Sequence, residues 1–459
     1  MAKIEQHSID YIPTSERHGK VRSLFYLWFG INLTPLTIGT GAVLVMGGLS
    51  FSWSVLAIII GNILATLLMA AHSAQGPHLG VPQMIQSRAQ FGVFGAVIPL
   101  IMVFCMYLGY ASSATVYAPE MIMALFPDCP IPFSGLIFIC TAITAFVVIV
   151  GYDAIHVAFK YITWIMGALF LIVTICLFTV TIPEGVSLGF GEFNLGLFLF
   201  GISIPASWQA CYAPYVADYS RYLPEDTKTS HTFWTTYMGA CLGAIWMMIV
   251  GCFLAAAVPA YAENQMAGLA SVFPWPTVFL LISLVFMILG CTLNLYGLFM
   301  SITTIIEPFS SLKITTKVRI IIISLGAILV WLIGSYAGEN FWAFYTNFLA
   351  VILYFLIPWT SINLVDFYFV RHGHYSVDAL SDPKGMYKAW NGKTLVIYFL
   401  TVLIEIPFVS QTFYVGPIAE LLGGGEIAWI VGGIFAAVVY YLANRKEKIA
   451  KDAPKFQND

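Results

Sequence analysis

Twelve runs of mostly apolar residues, each roughly 20 long, recur from one end of this chain to the other, and that length spans a hydrocarbon core of about 30 Å. They lie near residues 24–48, 51–71, 94–118, 132–150, 160–182, 196–214, 231–257, 275–300, 319–337, 341–369, 394–413 and 426–443. Of the 459 residues, 59% are hydrophobic and 9% charged, whereas a soluble domain carries about 25% charged residues. This inventory cannot cover a water-facing surface, so the chain reads as an all-α polytopic membrane protein.

Charge gives the sidedness. If the segments cross alternately, every one of the 20 Lys and Arg residues falls on the side of the N-terminus. The positive-inside rule then puts both termini in the cytoplasm of a cell whose inner (plasma) membrane holds the protein. A miscounted segment scrambles this partition. The polar stretch 1–22 lacks an apolar core followed by a small-residue cleavage site, and reads as a tail rather than a cleaved signal. The eight cysteines contain no CxxC pair and read as small packing residues.

Inside a bilayer, backbone without an intrahelical partner costs several kcal/mol unless it is buried in protein or lines a water-filled cavity. The first segment takes on that cost at "LTPLTIGTG", where Pro35, Gly39 and Gly41 interrupt an apolar run. The sixth does so at "GISIPASWQACYAPYVADYSRYLP", with Pro205 and Pro214 bracketing a polar centre of Ser207, Trp208 and Gln209. Segments one and six lie five apart, so the chain divides into two five-helix units of opposite orientation, each opening on an interrupted helix. Secondary transporters build a midplane site this way, from free carbonyls and half-helix ends. The alternative is a pair of simple kinks; two interruptions in register, with Trp and Gln at one of them, favour the transport site.

Four stretches occur in matching order: "IPTSERHGK" before the first segment, "GVPQMIQSRAQFG" (80–92) before the third, "DYSRYLP" (218–224) after the sixth, and "IPWTSINLVDFYFVRHGHY" (357–375) at the end of the tenth. Together they resemble the nucleobase–cation symporter family 1, and within it the purine/cytosine permease group. The resemblance implies a LeuT-like 5+5 inverted repeat with broken helices 1 and 6, plus two peripheral helices. It also implies alternating access, and symport of a small heterocycle with a proton or sodium ion. The expected layout is a cytoplasmic tail (1–23), a ten-helix transport core (24–371), a cytoplasmic linker (372–393), peripheral helices eleven and twelve (394–443) and a basic cytoplasmic tail (444–459).

The broken segments and segments three and eight have no Asp, Glu, Lys or Arg near their centres, whereas a permanently charged cargo calls for an intramembrane counter-charge. A neutral, flat, hydrogen-bonding solute needs only an aromatic face and a few amides or hydroxyls. Trp208 offers the face, base–aromatic stacking being worth about 1–3 kcal/mol; its other readings are packing and an interfacial belt. Gln209 has the donor and the acceptor to pair with a ring edge, or else caps backbone freed by Pro205. By the resemblance, Asn294 in "LGCTLNLYGL" matches a base-binding position, its other use being an inter-helix hydrogen bond. Tyr110 in "YLGYASSAT" stands where family members place an aromatic, often Trp. Asn32 and Thr34 precede the first break, to touch cargo or to cap a half-helix.

For the coupling ion, the resemblance implies carbonyls of the first break, at Pro35, together with hydroxyls of helix eight. Residues 288–293, "ILGCTL", supply only Thr292, while a hard cation wants several oxygen ligands; a proton is therefore favoured over sodium. Glu405, in "VLIEIPFV", is the acid near the middle of an apolar window. It reads as a relay, as a neutral partner of a neighbouring helix, or as a subunit contact. Asp218, Arg221, Arg88 and Asp366 lie near cytoplasmic helix ends as candidate gating charges, with Arg371 as an anchor, exposed pairs being worth little.

The expected activity is import of a neutral purine- or cytosine-type heterocycle by cation symport. The alternatives are a same-fold carrier for a hydantoin, allantoin, pyridoxine or pyrimidine vitamin precursor, and an uncoupled channel. The expected partners are that heterocycle, the cation and lipid, with no nucleic acid, no cofactor, no metal, and the monomer as functional unit. Enzyme readings fail: "GGLSFSWSV" and "LLGGGEIAW" lack the lysine of a phosphate-binding loop, and the eight histidines show no metal-ligand spacing.

Overall fold

The computed structural model describes residues 11–150, 152–310 and 315–446. Lys3, Lys313, Lys448, Lys451, Lys455, the side chain of Lys160 and the ends of both tails lie outside these residues. The helices that build the fold are α1 (Arg22–Ile31), α2 (Pro35–Met46), α3 (Phe51–His72), α4 (Val97–Leu125), α5 (Phe133–Val150), α6 (Tyr152–Leu177) and α7 (Leu195–Ala210). They continue with α8 (Val216–Ser220), α9 (Thr229–Ala257), α10 (Pro276–Ile306), α11 (Thr316–Glu339), α12 (Phe341–Val365), α13 (Gly392–Glu405) and α14 (Ala428–Asn444). Pairing α1 with α2 and α7 with α8 gives one unit per apolar segment. Among the described residues, eight units are long and apolar enough to cross a membrane alone, and the bent α1–α2 pair makes a ninth. Of the other units, α6 has 26 residues, α14 has 17, and α13 has 14 before a 3-10 turn at Ile406–Phe408.

The first interruption follows from two residues. Thr34 is extended and its hydroxyl accepts the N–H of Thr37 at 3.2 Å. Pro35 takes the first helical position, where its missing N–H leaves nothing unsatisfied. The helices on either side bend by 59°. The second interruption lies later than the prolines suggest. Pro205 stays inside α7, helical bonding runs to Ala210, and a 3-10 turn at Ala213–Tyr215 leads into α8. Trp208 and Gln209 therefore end a half-helix rather than occupy the gap.

Packing repeats with a shift of five segments. α2 of segment one lies on α9 of segment seven, as α7 of segment six lies on α3 of segment two. α4 of segment three packs on α11 and α12, and α10 of segment eight on α5 and α6. Each contact becomes its counterpart on exchanging the two five-segment units, as an inverted repeat requires. Both central crossings bring backbone to backbone. A methyl on Gly251 of α9 reaches 1.8 Å from the Ile38 carbonyl oxygen of α2, and one on Gly61 of α3 reaches 2.3 Å from that of Ile202 in α7.

The basic loops meet on one face. Arg17 donates to the carbonyl of Pro77 at 2.6 Å and Gly19 N–H to that of Tyr222 at 2.8 Å. Burial lowers the pKa of the Arg17 guanidinium, opposed by Tyr11 and Glu225. Arg88 pairs with Glu307 at 2.6 Å, Arg319 donates to Val148 at 2.9 Å and Lys393 to Ala443 at 3.1 Å. α12 ends in a π turn at Asp366–Val370, whose buried Asp366 accepts from Arg371 at 3.1 Å, Gln90 and Tyr375 at 2.7 Å, and Tyr440 of α14 at 2.9 Å. One carboxylate thus ties α14, the loop after residue 371 and the α3–α4 connection to α12.

Candidate functional site

Asn32 is fully buried where α1 stops. Its amide nitrogen donates to Trp28 O at 2.7 Å and Ala240 O at 3.4 Å. Its oxygen accepts from the Trp208 indole at 2.7 Å and from Tyr212 OH at 3.3 Å. An indole only donates, so this bond fixes which end of the amide faces α7. It also joins the two interruptions directly. Gln209 donates to Asn62 Oδ1 of α3 at 2.7 Å and to the same Ala240 carbonyl at 3.2 Å. Those partners, rather than backbone near Pro205, hold its nitrogen, and its Oε1 is buried without a hydrogen-bond partner.

Around this polar knot stand aromatic rings. Tyr110 of α4 meets Trp208 edge-on with centroids 5.6 Å apart, and Phe348 of α12 likewise at 5.2 Å. Its hydroxyl finds no oxygen or nitrogen partner and lies against the Cys211 thiol. Ser207 spends its hydroxyl on the Leu349 carbonyl, fastening α7 to α12.

The knot is closed from the face opposite the basic loops. Thr40 of α2 and Tyr345 of α12 share a hydrogen bond of 2.7 Å. Tyr117 of α4 donates to Gln265 at 3.0 Å, its oxygen resting against Gly39, where a methyl would approach to 2.1 Å. Towards the basic face, rings lead from Trp208 through Tyr212 and Tyr215 to Tyr107, the last two stacked at 5.6 Å. Tyr107, Tyr215 and Asp218 border a cavity of about 70 Å³ with Met84, Gly297 and Ser301.

Sequence reasoning named Trp208, Gln209, Asn32 and Tyr110, and these four come together. Asn294 is half-buried on α10, with no hydrogen bond to that group among the described residues. Thr292 donates to the carbonyl of Leu289 at 2.5 Å within its own helix, and Pro35 is buried at the start of α2. Asp218 accepts from Gln83 N–H at 2.7 Å, while Arg221 donates to the Asp218 carbonyl at 3.3 Å and covers the Tyr222 ring. Arg88 instead pairs across to Glu307. Sequence reasoning missed Asn62, Tyr212, Thr40, Tyr345 and Glu307. For Asn62 the signal was present, a lone amide in the apolar run "IIIGNILATLL".

The sequence profile described as "Permease for cytosine/purines, uracil, thiamine, allantoin" matches residues 11–432. The chain is 46% identical over 442 residues to the putative purine-cytosine permease YxlA of Bacillus subtilis, covering 96% of each. It is 25% identical to the purine-cytosine permease fcyB of Emericella nidulans, covering 95% of this chain and 87% of that one. Among solved structures it is similar to Mhp1 in an inward-facing conformation, with TM-score 0.75 at 17% identity, covering 97% of this chain and 94% of the other. Mhp1 in a closed conformation with bromovinylhydantoin bound, described as a nucleobase-cation-symport-1 family transporter, gives 0.73 at 17% identity over 98% and 97%. At that identity the likeness is one of fold.

Proposed function

The chain belongs to the permease family for cytosine/purines, uracil, thiamine and allantoin, and we propose that it imports a neutral purine- or cytosine-type base by symport with a proton. Its relatives are permeases, so it is a membrane transporter and not an enzyme. The observation that carries the finer reading is the bond from Trp208 to Asn32. It pins an indole between the two interruptions, one residue from a Gln209 oxygen that lacks a partner. A base stacks on the Trp208 face and donates an N–H to Gln209 Oε1, and Tyr110 completes the pocket from α4. A neutral cargo agrees with a knot made of amides, hydroxyls and rings alone.

Alternating access is supported by the asymmetry of closure, with hydrogen bonds sealing one side and a ring stack above a cavity on the other. Clustering of the basic loops supports termini on the cytoplasmic side. Proton coupling is favoured because residues 288–293 offer a single side-chain hydroxyl, that of Thr292, where a hard cation wants several oxygen ligands.

A thermal-shift panel tests the cargo class, since a ligand at 100 times its Kd stabilises the folded form by about 2.7 kcal/mol. Free purines and cytosine are expected to raise Tm, and the corresponding nucleotides are not. Stabilisation by allantoin or hydantoins alone would move the cargo class, and stabilisation by nucleotides would overturn a neutral cargo.

A further inference from the structure

Glu405, at the end of α13, is 1% exposed, and neither carboxyl oxygen has a hydrogen-bond partner among the described residues. It faces α14 so closely that a methyl on Gly432 would lie 1.6 Å from one oxygen. An isolated carboxylate buried without donors is too costly to persist and takes up a proton instead. Beside it is Glu426, also 1% exposed but furnished in the opposite way. Its oxygens accept from Tyr354 OH at 2.5 Å, Ser410 N–H at 2.7 Å, Ala428 N–H at 2.9 Å and the Gln411 amide at 3.5 Å. Four donors favour the charged form of Glu426 against its burial, and Glu405 has none.

The groups whose charge acts on or with Glu405 are Glu426, Tyr354 of α12 and Tyr398 of its own helix. Among the described residues no cation offsets the pair, so an ionised Glu405 would face the Glu426 charge directly. Tyr354 belongs to the helix that seals the Trp208 pocket: Tyr345, Phe348 and Leu349 precede it within three turns. Ser410 and Gln411 belong to a short hairpin (Ser410–Gln411 with Tyr414–Val415) whose far strand is exposed.

We propose that Glu405 and Glu426 form a proton-binding site outside the broken-helix pocket, and that Glu405 binds and releases one proton as α12 closes and opens over the cargo. On closure the Glu405 carboxylate takes a proton from water and becomes the acid; on opening, water returns to the acid and takes the proton back past Glu426. The proposal rests on the base-binding reading of the Trp208 site and makes the pair a proton-dependent latch on its closure, distinct from the proton that crosses with the cargo.

Infrared difference spectra of the full-length protein in lipid, with and without a stabilising base, read this carboxyl directly. The wild type is expected to show the carbonyl stretch of a protonated acid, which Glu405→Gln removes, Glu426→Gln displaces, and added base strengthens. By reciprocity, base affinity tightens by up to about tenfold per pH unit of acidification in the wild type, and this slope vanishes in Glu405→Gln. A wild type without the band, a band indifferent to base, or an unchanged slope in Glu405→Gln overturns the proposal. If the band responds to base but a pH gradient drives no uptake, the symport reading alone fails.

Discussion

An indole held at its nitrogen is oriented, and an oriented ring face is what a flat heterocycle can use. Trp208 is fixed this way by Asn32 and flanked by Tyr110 and Tyr212. Replacing Trp208 with Ala is expected to weaken base binding by about 1–3 kcal/mol, the worth of one stacked base. Trp208→Phe, which keeps a ring and most of the volume, should retain the larger part. Calorimetric titration of both variants checks this, and an Ala variant binding as tightly as the wild type removes Trp208 from the site. At this scale the sequence was informative wherever a polar residue stood out against apolar neighbours, as Trp208-Gln209 and Asn32 do. It was silent on partners: that Gln209 reaches Asn62 while Asn294 joins neither depends on which helix lies opposite, and helical spacing carries no such information.

Helix ends and crossings depend on a few local groups. The Thr34–Pro35 cap made the first break readable, since an N-cap followed by Pro at the first helical position starts a new helix almost anywhere. Pro205 misled, because a proline within a membrane helix can be tolerated by its packed surroundings. The end of α12 is held by Asp366, whose four donors come from Gln90, Arg371, Tyr375 and Tyr440. Asp366→Ala removes the carboxylate that pairs with Arg371 and accepts from Gln90, Tyr375 and Tyr440, and breaking a buried pair costs about 3–5 kcal/mol. Denaturant unfolding in mixed micelles should show that loss together with loosened α14. A loss under 1 kcal/mol would mean that the Asp366 network is not what fastens α14 to the core.

For the molecule as a whole, the 5+5 arrangement was legible because two separate patterns agreed. Interrupted helices five segments apart set the repeat, and a one-sided distribution of Lys and Arg set the parity of the crossings. The loops bearing those charges do gather on one face. Closure opposite that face, and the Glu405–Glu426 pair, were not legible, because both join residues more than a hundred positions apart or helices whose contact no pattern announces. The central claim is coupled carriage through the Trp208 pocket. It is tested most directly by uptake of a labelled purine or cytosine base into proteoliposomes under an inward-directed proton gradient without sodium. Accumulation above the outside concentration, abolished by a protonophore and by Trp208→Ala, is the predicted result. Uptake that stops at equal concentrations, or that begins only when sodium is added, would contradict it.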